Sequence, residues 1–382
     1  MTGVRTRTML AAATAIALSA ALAAPAFARD AGGGHEATRE AMVAAVKDGV
    51  PGVTATARKN GRGWSATEGV GNLKTGEPRS TVDRYRVGSI TKTFVATVLL
   101  QLEAEGRLSL EDSVDKWLPG TVRGNGHDGS RITLRQLLNH TSGIYNYTAD
   151  DDFVRTYFLK DGFFQHRYDT MSPGELVAIA MNHRPDFAPG TSWNYSNTNY
   201  VLAGMVIERV TGHPYGKEIR HRIINPLGLH ATSVPGTRVT VPRPSSRAYS
   251  KLAEESTGPT YDVTRFNPSP AQAAGEMISN STDLNRFYTA LLKGKLLPRK
   301  QLTKMKTTVE VDGIPNAGYG LGLIERELSC GTTVWGHGGG IHGSVSEGVT
   351  TADGKHSLAF NFNGDWSGDT DAVIEAEFCG RR

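Results

Sequence analysis

Val87-Gly88-Ser89-Ile90-Thr91-Lys92-Thr93-Phe94-Val95-Ala96-Thr97-Val98-Leu99-Leu100 reads as the opening of a buried helix. Apolar residues fall at Ile90, Phe94, Val95, Val98, Leu99 and Leu102, the spacing of a helix rather than of a strand. Gly106, after Glu105, supplies the stop. Ser89 then sits in or near the first turn, where free backbone N–H groups and the helix dipole favour developing negative charge. Lys92 lies three residues on, so hydroxyl and amine share one face. A serine is a weak nucleophile unless a base takes its proton. A lysine serves as that base only when neutral, which burial or a cationic neighbour achieves by lowering its pKa. The competing reading is a capping serine beside a lysine whose stem lies on apolar surface. A second Ser-x-x-Lys, Ser113-Val114-Asp115-Lys116, lies in a charged stretch and reads as surface.

The chain has 382 residues, enough for one large domain or two lobes. Residues 1–28 read as a secretory signal: Arg5 and Arg7, an apolar run over 9–24, then Ala26-Phe27-Ala28 as the small-residue cleavage site. The run is short for a membrane span and no second one is long enough. The expectation is a secreted, soluble monomer with no stable membrane span. The formal net charge is +4, of which the signal contributes two arginines and no acids. That near balance, without a basic patch interleaved with aromatics, argues against nucleic acid as a partner. Cys330 and Cys379 are the two cysteines, and in an exported chain an even pair is most simply a disulfide. It would tie the C-terminal segment to a strand some fifty residues back and restrict the unfolded chain by roughly 2–4 kcal/mol.

Residues 29–40 are polar and Gly-rich and read as a disordered leader. A short helix follows over 41–47, then strands over 52–57 and 64–71 around Lys59-Asn60-Gly61-Arg62-Gly63. Helices are expected at 133–140, 200–211 and 275–292, with long loops over 232–270. The end reads as strands at 318–324, 332–337, 344–349 and 357–362, then a helix over 371–378. Strands at both ends with helices between them point to an α/β (α+β) fold. One antiparallel sheet, flanked by helices, is completed by both termini, with a mainly helical lobe inserted. The sheet lobe covers about 41–86 and 275–382 and the helical lobe about 87–274. A cleft between such lobes is a natural place for a small ligand.

Two further stretches supply what a Ser-Lys pair lacks. Trp193-Asn194-Tyr195-Ser196-Asn197-Thr198-Asn199-Tyr200 offers a phenol to relay protons at Tyr195 and an amide to orient a substrate carbonyl at Asn197. Taken alone it is better explained by aromatic packing and an N-cap. Trp335-Gly336-His337-Gly338-Gly339-Gly340-Ile341-His342 lets a substrate backbone approach closely. Its N–H groups suit an oxyanion and His337 adds positive charge, although a glycine turn explains the run by itself. His337 and His342 have no third ligand nearby, so no metal is expected. Gly124-Asn125-Gly126-His127-Asp128-Gly129 matches a dinucleotide pattern but lies in a polar loop outside any βαβ unit.

Together and in this order, Ser-x-x-Lys, Tyr-x-Asn and His-x-Gly resemble the penicillin-recognising serine hydrolases, whose sister pattern is Ser-x-x-Lys, Ser-Asp-Asn, Lys-Thr-Gly. The likeness is to exported serine-type D-alanyl-D-alanine carboxypeptidases and class C β-lactamase-like enzymes. It covers most of the chain, including Gly318-Tyr319-Gly320-Leu321-Gly322-Leu323 and the cysteine pair. The resemblance implies a β-lactamase-like fold and a two-step reaction through an acyl-enzyme, without cofactor. Ser89 would be the nucleophile, Lys92 its base and Tyr195 the proton carrier. Asn197 would hold the acyl amide and His337 would stand for the basic residue of the third motif. Gly338 and Gly339 would line the substrate, and the N–H groups of Ser89 and Gly340 would form the oxyanion hole.

The carboxypeptidases usually carry His-Thr-Gly-Thr, whose hydroxyls take the terminal carboxylate, where this chain has three glycines. They also carry an arginine at the position of Ile324 and a tryptophan at that of Pro270. Arg326, two positions on along a strand, would face the same side as Ile324 and could compensate. The expected activity is therefore a D-alanyl-D-alanine carboxypeptidase or related D-peptidase. The alternatives are an esterase or weak β-lactamase, or a penicillin-binding sensor that does not turn over.

Overall fold

The structure, a computed structural model, describes residues 34–253, 257–311 and 316–380. The signal segment expected over 1–28 lies outside the described residues.

Eight strands form one antiparallel sheet. They are β1 (Gly52–Lys59), β2 (Arg62–Gly69), β3 (Val309–Glu310), β4 (Ala317–Tyr319), β5 (Ile324–Glu327), β6 (Thr333–Ile341), β7 (Ser344–Thr351) and β8 (His356–Phe362). Their order is β2-β1-β8-β7-β6-β5-β4-β3, so the first strands of the chain complete a sheet otherwise built from its last third. Val53 pairs with Phe362 and Ala57 with Leu358 across the join. Along β8 the period-2 pattern is clean. Leu358, Phe360 and Phe362 face the helices α1 (Glu36–Lys47) and α6 (Thr370–Cys379), packing with Met42, Val373 and Ile374. Ala359 faces the other way, toward the main core.

That core is centred on α2 (Thr91–Ala104), in which every residue from Thr91 to Leu100 is buried. Burial on every face, its threonines and Lys92 included, makes it a central helix rather than a surface one. It is enclosed by α4 (Asn197–Thr211), by the short α3 (Leu134–Leu138) and by α5 (Ser281–Leu292), and the Phe94 and Phe287 rings stack at 3.7 Å. Each such side chain contributes about 1.5–3 kcal/mol by leaving water.

Several local expectations change. The leader expected over 29–40 is already helical from Glu36, because Thr38 and His35 bond to the carboxylate of Glu377 on α6 at 2.7 and 2.9 Å. The helix expected over 275–292 is interrupted. A turn of helix at Gln272–Gly275 gives way to the strand pair Ile278–Ser279 with Tyr85–Arg86, and α5 begins after the Asn280 cap. The strand expected over 318–324 is a hairpin, with the Gly320 N–H donating to Leu323 O at 2.8 Å and Gly322 at φ +68°. Glycines alternating with Tyr and Leu imitate strand periodicity there, but two of them serve a turn. Cys330 and Cys379 are bonded, with Cys330 in the turn between β5 and β6 rather than on a strand.

Candidate active site

Ser89 lies in a 3-10 turn, Gly88–Ile90, that runs directly into α2. The turn sits against β6. A Cβ on Gly339 would meet Val87 O at 2.0 Å and Ser89 N at 2.8 Å, and one on Gly88 would meet the Gly340 backbone at 2.7–2.9 Å. The glycine run is therefore strand, not turn, and its bare backbone lets β6 lie on the serine-bearing turn. Ser89 and Gly340 line the same cleft.

Lys92 is fully buried one turn along, and its amine has three partners. Nζ lies 3.0 Å from Ser89 Oγ, 2.7 Å from Asn197 Oδ1 and 2.8 Å from Ala274 O. The last two can only accept. Once neutral, the amine keeps two N–H bonds for them and has one lone pair left for the serine proton. Burial pushes the Lys92 pKa well below its ordinary value, the direction a general base needs. Tyr195, on the loop before α4, is hydrogen-bonded to Ser89, and burial pushes its phenol upward, so it is held as a neutral proton donor. The Lys92 amine lies 4.7 Å from the centre of the Tyr195 ring. Asn197 opens α4. Its Nδ2 donates to Thr148 Oγ1 at 3.0 Å and its backbone N–H donates to Asn146 Oδ1 at 3.0 Å.

Two expected roles change. His337 sits beside the other groups, but it does not add positive charge. It is 2% exposed, and burial with Lys92 nearby pushes its pKa down to about 3. Arg326 is not available to a substrate carboxylate, because its guanidinium donates to Glu347 at 2.8 Å and Asp371 at 2.7 Å. This pair also explains the glycine after His337. A Cβ on Gly338 would come within 2.3 Å of the Glu347 carboxylate, so the position where the carboxypeptidases carry a hydroxyl is taken. The second Ser-x-x-Lys is a helix cap, Ser113 Oγ accepting from the Lys116 N–H, with the lysine side chain in solvent.

Sequence reasoning missed three contributors. The carbonyl of Ala274 carries no side-chain signal at all. His140, fully buried and facing Tyr195 at 4.3 Å, carries no sequence signal beyond the end of a helix. The cleft's aromatic wall is built from Tyr147, Phe153, Tyr157, Phe158 and Phe163, all within residues 147–163, and from Phe266 far along the chain.

A family model described as Beta-lactamase matches residues 34–374. Penicillin-binding protein 4* of Bacillus subtilis is 27% identical over 315 residues, 77% of this chain and 64% of that protein. The chain spans about half to two thirds of the length of the curated relatives it matches. Among solved structures, a D-stereospecific amidohydrolase from Streptomyces sp. is 62% identical with a TM-score of 0.87, over 91% of this chain and 99% of that one. A D-amino acid amidase from Ochrobactrum anthropi SV3, complexed with L-phenylalanine amide, is 28% identical with a TM-score of 0.77, again over 91% and 99%.

Proposed function

The chain belongs to the Beta-lactamase family of serine hydrolases, and from that premise we propose that it is an exported amidohydrolase of D-amino-acid derivatives, acting through an acyl-enzyme on Ser89. The observation that carries the chemistry is the buried Lys92 amine, within hydrogen-bond reach of Ser89 Oγ and otherwise held only by the acceptors Asn197 Oδ1 and Ala274 O.

Ser89 Oγ attacks the substrate carbonyl as its proton passes to Lys92 Nζ. The backbone N–H groups of Ser89 and Gly340, at the mouth of the cleft, receive the oxyanion. Tyr195 gives its proton to the departing amine and is reprotonated from Lys92. Water then enters by the same route in reverse and releases the acid.

Substrate preference follows from what surrounds that centre. The aromatic wall suits a large apolar side chain. Glycines at 338–340 offer no hydroxyl and Arg326 is committed, so neither of the expected partners of a free C-terminal carboxylate is in place, which favours an amide or ester over a peptide ending in D-alanine. The names of the two solved relatives point the same way. Export is supported by the residue pattern over 1–28 and by the Cys330–Cys379 bond.

The test compares D-phenylalanine amide, its L-isomer and a D-alanyl-D-alanine tripeptide, with Ser89→Ala as control. Release of ammonia from the D-amide at least about tenfold faster than from either competitor, absent in the control, is expected. Full activity in Ser89→Ala would overturn the mechanism. Preference for the tripeptide would restore the carboxypeptidase reading. A labelled penicillin that stays on Ser89 with no turnover of any substrate would favour a sensor.

A further inference from the structure

We propose that His140 is a positioning residue of this site: one oriented chain of hydrogen bonds lets it direct the Tyr319 hydroxyl hydrogen onto His337 Nε2, while its ring supports the Tyr195 phenol. The proposal rests on the Ser89-Lys92-Tyr195 reading above, but its direct readout does not.

The chain has a defined direction because both ends are backbone groups. The Ile144 N–H donates to Ser142 Oγ at 3.0 Å, so the Ser142 hydrogen goes to Asn199 Oδ1 at 2.6 Å. That orients the Asn199 amide, whose Nδ2 donates to His140 Nδ1 at 3.1 Å, and the Ser196 backbone N–H donates to the same nitrogen at 3.2 Å. His140 Nδ1 therefore carries no proton, and Nε2–H donates to Tyr319 Oη at 3.2 Å. At the other end, His337 Nδ1 lies 2.5 Å from the carbonyl of Gly338, which can only accept. So His337 holds its proton on Nδ1, and its bare Nε2 accepts from Tyr319 Oη–H at 2.9 Å. The Tyr200 phenol, whose hydrogen goes to Leu138 O, borders the same hydroxyl.

The result is two neutral imidazoles of opposite tautomer, joined by one phenol. The groups facing them are Lys92 from α2, Trp193 and Tyr195 from the loop before α4, Tyr200 on α4, Tyr319 on β4 and Arg326 on β5. Neutral rings leave Lys92 as the titrating cation beside the nucleophile, and burial drives both imidazole pKa values down in agreement. His140 also sits in the left-handed region at φ +62°, just past the end of α3, where glycine or asparagine is the less strained choice. A buried histidine held in a strained conformation against the phenol fits a part in the site rather than in packing alone.

The test is nitrogen-15 NMR of histidine-labelled protein with kinetics of two variants. His337 is expected to show the Nδ1–H tautomer and His140 the Nε2–H tautomer, both neutral from pH 6 to 8, on the order of the range where free histidine titrates. Resonances are assigned through His140→Asn and His337→Asn. Tyr319→Phe removes the bridging oxygen, and His140→Asn keeps a residue suited to φ +62°. Each is expected to lower kcat on the order of tenfold with KM within about twofold, and to raise the acid limb of the pH profile in Tyr319→Phe. A ring at 140 or 337 that titrates in that range, or shows the other tautomer, would overturn the proposal. So would kcat and pH profile unchanged in whichever variant melts like the parent. If Ser89→Ala stayed active, the hydrolytic reading would fall while the tautomer measurement still judged the chain.

Discussion

Lys92 shows how one residue can oppose stability for the sake of chemistry. Its amine is fully buried, and no carboxylate is among its three partners. Burial lowers its pKa, so between the folded value and the ordinary value of 10.5 the unfolded chain binds a proton that the folded chain does not. Stability should then rise with pH through that window and level off above it. Lys92→Met keeps the length of the side chain and removes the charge. It should abolish turnover yet stabilise the fold at pH 7 by about 1–3 kcal/mol, because water in the cleft can satisfy the acceptors it leaves. Denaturant melts at pH 7 and pH 10 check this: the gain should shrink at the higher pH. A variant less stable than the parent at both would contradict the neutral amine.

At the scale of elements, the site is a contact between the turn before α2 and strand β6, and it works only where β6 has no side chains. The glycines there are not equivalent. A Cβ at Gly339 meets main-chain atoms of Val87 and Ser89, which cannot move without displacing the nucleophile. At Gly340 a Cβ has nothing within 4 Å. Gly339→Ala should cost at least about 1–3 kcal/mol and most of the activity. Gly340→Ala should stay within about 0.5 kcal/mol of the parent and alter only turnover or substrate preference. Thermal melts beside ester kinetics separate the two, and equal loss of stability in both would refute the assigned contact. The elements misjudged from sequence share one cause. The run 318–324 alternates like a strand, but whether a glycine lies in a strand or a turn depends on what packs against it.

The whole molecule is held by its ends. The first two strands complete a sheet begun some 250 residues later, α1 packs on α6, and Glu377 receives His35, Thr38 and His356 at 2.9, 2.7 and 2.6 Å. The Cys330–Cys379 bond closes a loop of 49 residues around α6 and three strands. Replacing both cysteines by serine should lower stability by roughly 2–4 kcal/mol, mainly by freeing the unfolded chain. Turnover of the folded variant should stay within about twofold, since the bond touches neither α2 nor the cleft; a larger loss of kcat would place the C-terminal helix in the site. From sequence alone came the buried helix with its Ser-Lys pair, the order of the three motifs, the antiparallel sheet and the cysteine pair. Each is written in local periodicity or in residue types that chemistry restricts. Tertiary structure alone decided that Lys92 has only acceptors besides the serine, that His337 is neutral and that Arg326 is already paired. It also decided that the aromatic rings of residues 147–163 and of Phe266 line one cleft and that His140 reaches the phenol. These depend on which distant groups share a dielectric and a hydrogen, and no spacing along a chain records that.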